Sequence, residues 1–378
     1  MRSASTGIRL KALREQRGMS QEELSRIFGF DHRQTLQQIE AGQRKLSAEE
    51  LVAAVQAFDV PLDYFTNPFL IVGEARFSWR RDAGTSVADL DAFERKAGEW
   101  IGAYRELGLA TGEPISPIAH RLNLTRASSY EDAREAGEAV AAFLGLGDVP
   151  SQGLAQAMQE KMSILVLMVD ARTGISGAAC LVRNLGAVLV NRHETPGRRN
   201  YDLAHELFHI LTWDAMPPER LDDGEGTGKL QKRVEQMAEK FASAVLMPAR
   251  LFEDCPGDAT DPGWINTTAT ELGVSAKALK WRLVDLGRID RGVALAYDDG
   301  LLVNNGGLVG RDRDVPLPFG RHFTHVVAEG IERAAQAEML RGWGCQLAQG
   351  AWFGEPMDEV EFMRRYLTSR ESMPGLKN

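Results

Sequence analysis

His205-Glu206-Leu207-Phe208-His209 sets two histidines four residues apart with a glutamate between them. On a helix this spacing turns both imidazoles to one face, one turn apart. Their nitrogens can there meet a single tetrahedral Zn2+. The glutamate lies to one side, free of the metal. It can take a proton from a water that such a metal acidifies to near pH ~7. Residues of these types at this spacing point to hydrolysis, most often of peptide bonds. The flanks Leu203-Ala204 and Ile210-Leu211 are apolar, so the helix is expected to be largely buried, and buried histidines need a partner such as zinc.

A catalytic His2Glu centre needs one more carboxylate and leaves its fourth position open for water. A second amphipathic segment offers it, after a polar, glycine-bearing connection from Asp222 to Gly228. Its apolar residues Val234, Met237, Ala238, Phe241, Val245 and Leu246 recur at helical period, and Met247-Pro248 stops it. Glu235 and Glu239 share one face of this helix. Glu235 is the first choice as third ligand and Glu239 the alternative. His193 lies close before the zinc helix but reads as a loop histidine, and His120, His322 and His325 show no convergent partners.

The stretch from Arg198 to His209, with Val234-Glu235-Gln236-Met237-Ala238-Glu239-Lys240-Phe241-Ala242 and Leu246-Met247-Pro248, resembles the ImmA/IrrE-type metallopeptidases. Their pattern is R-F-T-x-A-H-E-x-x-H, then E-x-x-A-N-x-F-A ending in L-M-P. The resemblance implies that Glu235 is the third zinc ligand. It also implies a protein substrate such as a repressor, whose cleavage switches genes. Tyr201-Asp202 stand where Phe-Thr is usual, and Glu239 stands where Asn is usual.

The elements that position this site should include a sheet. Met162 to Val169 reads as a buried strand, and Ala178 to Val182 with Ala187 to Asn191 reads as a hairpin around Asn184-Leu185-Gly186. The resemblance implies that a sheet edge beside the zinc cleft holds an extended substrate by strand addition.

A separate signal lies at the N-terminus. Ser20-Gln21-Glu22-Glu23 and Ser47-Ala48-Glu49-Glu50 are capping boxes, and Asp31-His32-Arg33-Gln34 reads as a variant of the same device. Leu24, Ile27 and Phe28, then Leu36 and Ile39, then Leu51, Val52, Val55 and Phe58 are its expected apolar positions. Gly29 and Gly42 should end its second and third helices. The run from Ile8 to Phe65 resembles the Cro/phage-repressor (XRE) helix-turn-helix family, which implies binding to operator double-stranded DNA. Arg33, Gln34, Thr35, Gln37 and Gln38 would form the exposed face of its third helix, with chemistry suited to base edges. Arg14, Arg17, Arg44 and Lys45 would sit toward phosphates. One copy would bind weakly, so a homodimer reading half-sites about 34 Å apart is expected.

The chain of 378 residues carries 44 basic and 53 acidic side chains, a net charge of −9. Residues 1–66 hold nine of each sign, so the remainder carries all of the excess. No apolar run approaches the ~18 residues of a membrane span. The start shows no signal-peptide pattern, and Cys180, Cys255 and Cys345 are few and scattered, which together point to the cytoplasm. The expected fold is α+β and multidomain: an all-α helix-turn-helix bundle, a zincin-like domain of helices on a small mixed sheet, and a mainly helical C-terminal region. The expected divisions are 1–66, a helical connector 67–125, the peptidase-like 126–260, a helix-turn-helix-like segment 261–290, and a sensing or dimerising region 291–378. In the connecting region, helices are expected over Val87–Leu107 and Tyr130–Leu144. Trp264 to Ile289 is expected to pack on the peptidase. Two short strand-like runs should follow Gly292, then a helix near 321–341. The alternative function is a non-proteolytic regulator or antitoxin whose zinc domain is structural or ligand-sensing.

Overall fold

A computed structural model of the chain describes residues 2–67, 69–81, 86–110, 116–172, 174–183, 185–222, 229–253, 257–303 and 315–316. These belong to one folded unit spanning Met1–Pro318. The helix expected near 321–341, Asn184, Cys255, His322, His325, Trp343, Cys345, Trp352 and most of the 222–228 connection lie outside the described residues.

Five helices form the N-terminal bundle: α1 (Arg2–Gln16), α2 (Gln21–Ile27), α3 (Arg33–Glu40), α4 (Ala48–Phe58) and α5 (Asp63–Thr66). Ser20 and Ser47 cap α2 and α4 in reciprocal capping boxes with Glu23 and Glu50, satisfying amide groups that a helix start leaves without partners. The Asp31 device is not present. Helix α3 begins one residue later than that frame requires, with His32 at its N-cap and no side-chain cap bond. Leu10, Leu13, Leu24, Leu36, Ile39, Ala54, Phe58 and Phe65 make the core. Ile27 and Val52, expected inside, are 49% and 53% exposed because the helical period carries them onto the flank.

The second half of the unit is built on a five-stranded sheet of order β2-β4-β3-β1-β5. Its elements in chain order are β1 (Ala75–Arg81), α6 (Val87–Ala110), α7 (Tyr130–Leu144), α8 (Pro150–Met162), β2 (Ile164–Val169), β3 (Ile175–Val182), β4 (Leu185–Asn191), α9 (Pro196–Thr212), β5 (Leu221–Asp222) and α10 (Lys229–Leu246). Strands β2 and β4 run parallel, while β4–β3 and β3–β1 are antiparallel. The inner strands are buried along their whole length, which fits their unbroken apolar runs. Helix α9 packs on β3 and β4, and α10 lies against α7 and α9.

Strand β1 is the main departure from the expected organisation, because the connector was expected to be helical. Phe77 and Trp79 alternate with Arg76, Ser78 and Arg80, a period-two pattern in which three arginines disguise the strand. Trp79 is fully buried, stacks on Phe77 and meets Phe93 of α6 edge-on, and its indole N–H donates to Glu94.

Beyond α10, α11 (Pro262–Leu272) and α12 (Ala276–Asp285) pack into the same core through Ile265, Ala269, Leu279 and Leu283. Arg282 donates to the Met247 carbonyl at 2.8 Å and pairs with Glu138. The first strand-like run after Gly292 is instead helical, α13 (Arg291–Ala296), started by the Asp290 side chain accepting from Gly292 and Val293 amides. Among the described residues no helix is long and apolar enough to cross a membrane.

Candidate metal centre

Helix α9 opens on Pro196 and runs 17 residues, with every residue from Asp202 to Thr212 buried. His205 and His209 project from it one turn apart, each 2% exposed. Helix α10 brings Glu235 to them. The Nε2 atoms of the two histidines lie 3.2 Å apart, and the Glu235 Oε2 sits 3.2 Å from one and 3.3 Å from the other. Among the described residues this is the one group of three that could hold a metal ion.

The triangle can be tested against the ion. Zinc bonds of ~2.0–2.1 Å in a tetrahedron separate neighbouring ligand atoms by ~3.3–3.4 Å. The observed edges agree with that separation. Two imidazole nitrogens and a carboxylate oxygen gathered in a buried site are all electron-rich toward its centre, an arrangement that a shared cation relieves. The Glu235 Oε1 accepts from the Gln231 amide at 2.6 Å, which fixes the carboxylate. The His205 Nδ1 is buried without a hydrogen-bond partner. The donor set therefore fits Zn2+.

Glu239 takes no part. It stays on the solvent side of α10, and its backbone carbonyl accepts from the Tyr201 hydroxyl at 3.1 Å. His193 bonds Asp170 at 2.6 Å and His120 stacks on Phe143, so neither joins the site.

Burial, reinforced by the Arg80 guanidinium, lowers the His205 pKa to about 4 and keeps the imidazole neutral, as a ligand must be. For Glu235, burial pushes upward, but the two histidines outweigh it and hold the carboxyl well below its usual range. Glu206 lies outside the triangle, fully buried beside Gly177 of β3, and burial raises its pKa to about 8. This raised value destabilises the metal-free protein as pH rises. Below about 4.5 both folded and unfolded forms are protonated and nothing is lost. Between about 4.5 and 8 the unfolded form gives up its proton first, so stability falls. Glu206→Gln should therefore match wild type near pH 4.5 in metal-free melting experiments and exceed it increasingly toward pH 8, by up to ~4 kcal/mol. A gain independent of pH would contradict this.

Residues 10–65 match the helix-turn-helix family model, and residues 157–284 match that of the IrrE N-terminal-like domain. The chain thus joins a segment that matches the first of these families to a segment that matches the second. No curated protein matches it. The matched IrrE-like segment begins inside α8 and reaches through α12, so it contains all three donors, Glu206 and the packed α11–α12 pair.

Within the helix-turn-helix module, Arg33, Gln34, Gln37 and Gln38 are exposed on α3 and Thr35 is half-buried. Arg17 and Lys45 are exposed too. Arg14 is not available to phosphates. It is buried and forms a two-pronged pair with Glu40, Nε to Oε1 at 2.6 Å and Nη2 to Oε2 at 3.0 Å. Arg44 is half-buried and grips Glu50 with both guanidinium nitrogens. Arg80 is a further residue of the site, not among those expected from the sequence. It reaches from β1 to Asp202 of α9 at 2.8 Å, beside the metal triangle. The alternation in 75–81 was the signal available for it.

Proposed function

We propose that this chain is a DNA-binding transcriptional regulator whose IrrE-like domain is a zinc-dependent endopeptidase. Its substrate class is a repressor or antitoxin-like protein, this chain itself included. The observation that carries the reading is the three-donor triangle with a buried carboxyl beside it that is not one of the donors. His205, His209 and Glu235 would hold Zn2+. When bound, the ion polarises a peptide carbonyl and acidifies water. Glu206 takes the proton of the attacking water and returns it to the leaving amine nitrogen. Burial raises its affinity for a proton, and a cation held beside it would favour the carboxylate form that a base needs. The exposed face of α3, Arg33 to Gln38, reads base edges of an operator, and two copies would read two half-sites.

The test separates this from a regulator whose metal domain only senses or stabilises. Zinc-loaded Glu206→Gln should retain one zinc per chain and bind operator as wild type does, yet fail to switch the target promoter. Hydrolysis should fall ~10²–10⁴-fold, the usual worth of a general base. Normal switching by this variant would exclude the peptidase reading.

A further inference from the structure

The sheet edge expected to receive substrate is already filled. Strand β3 borders α9, and its free side is where an incoming peptide would pair. Strand β1 lies there, antiparallel to β3 from Ala75↔Val182 to Arg80↔Gly177. Side chains directly opposite in such a pair share a face of the sheet. Arg80 therefore points to the side where Gly177 lacks a side chain and where Glu206 lies 3.9 Å from the Cβ that Gly177 would carry.

Two contacts show where β1 runs relative to the metal helix. The Arg76 guanidinium sits over the Trp213 ring at 5.9 Å, just past the end of α9, and Arg80 bonds Asp202 near its middle. Asp202 to Trp213 spans ~16 Å of helix. Arg76 to Arg80 spans ~13 Å of strand. Two arginine side chains of the strand thus reach α9 on either side of the stretch that contains His205, Glu206 and His209, with Ser78 between them. Register shifts between Arg80 and Arg81, which pairs with Ile175, so the ladder is irregular where the strand passes Asp202. Asp202 is also the residue that stands where the resembled motif has threonine, so the departure supplies the carboxylate that Arg80 needs.

We propose that β1 is an intramolecular occupant of the peptide-binding groove, fastened by Arg80–Asp202, and that an extended protein segment enters only when β1 leaves. This rests on the peptidase reading above. A groove closed by its own chain weakens apparent affinity in proportion to the fraction of time it is open. The strand begins nine residues after α5 ends, so the DNA-reading module and the groove share one short tether.

The experiment uses the zinc-loaded full chain carrying Glu206→Gln, with a fluorescein-labelled unfolded casein peptide read by anisotropy. In an opened form, Asp202→Thr removes the Arg80 fastening. In a locked form, Phe77→Cys stands opposite the natural Cys180 and diamide joins the two rungs. If Phe77→Cys upsets the stack on Trp79, the pair Ser78→Cys with Ala179→Cys locks the adjacent rung. The opened form should bind at least ~10-fold tighter than the reference, and the oxidised lock at least ~10-fold weaker than the same variant reduced. Equal binding by opened, reference and locked forms overturns the proposal and leaves the peptidase reading standing. No binding by any form that holds one zinc per chain overturns the peptidase reading, and this proposal with it.

Discussion

Glu235→Ala is expected to strip zinc from the purified protein while Glu239→Ala leaves it in place. Loss of an outer partner of a metal ligand already weakens binding ~10–100-fold, so loss of a direct ligand should exceed ~100-fold. The two remaining donors, His205 and His209, both come from α9 and close only one edge of the triangle. Glu239 is exposed and lies one turn, ~6 Å, along α10, so it cannot restore the other two edges without the helix sliding along its axis. Zinc per chain after dialysis, with a competing chelator dye to rank affinities, reads the result. Helical content should be unchanged, because α10 is held by Val234, Met237, Phe241 and Val245 in the core. Zinc retained by Glu235→Ala and lost by Glu239→Ala would reassign the third ligand.

The second large effect concerns the DNA-reading module. Arg14 and Glu40 join α1 to the end of α3 with side chains 9% and 3% exposed. Gln21 donates to Glu40 at 2.8 Å and Arg14 donates to the Met19 carbonyl at 2.9 Å, so every prong of the pair is engaged. Breaking such a pair from one side leaves a buried charge and costs ~3–5 kcal/mol. A domain this small has only a few kcal/mol of stability to lose. Arg14→Met should therefore collapse amide protection across residues 10–65 in hydrogen exchange of the full chain, while α7 to α10 keep theirs. Arg14→Met combined with Glu40→Leu should recover much of the loss, since matched apolar replacement removes the stranded charge. A single-variant cost under ~1 kcal/mol would show that the pair is solvated in solution.

These residues mark how far the sequence was legible. The two serine capping boxes, the helical period of 234–246 and the HExxH spacing are local patterns, and each appears in the structure where the pattern places it. Helix α7 begins at Tyr130 and ends at Leu144, as its own periodicity requires. What escaped depends on partners far along the chain. Arg14 looks like a phosphate ligand until Glu40, 26 residues on, turns it inward. Strand β1 hides because its register is set by β3, about a hundred residues away, and its charged face is neutralised by Asp202. The run after Gly292 is apolar enough for either state, and the Asp290 cap decides for a helix. Long-range pairing decides Arg14 and β1, where local rules fail, while a local cap decides the run after Gly292.

The inward-turned arginines of the bundle have a thermodynamic consequence for DNA. Each phosphate neutralised by a protein cation frees condensed counterions, and affinity then falls with salt at a log–log slope of ~−0.9 per contact. Arg9 is spent on the carbonyls of Tyr64 and Leu70, Arg14 on Glu40, and Arg44 on Glu50. Lys11, Arg17, Arg26, Arg33 and Lys45 remain exposed. Operator affinity measured across salt concentrations should thus give a moderate slope, no steeper than ~−4.5 per module. A module with ion release limited in this way gains less on random DNA, and its preference for an operator has to come from the glutamine face of α3.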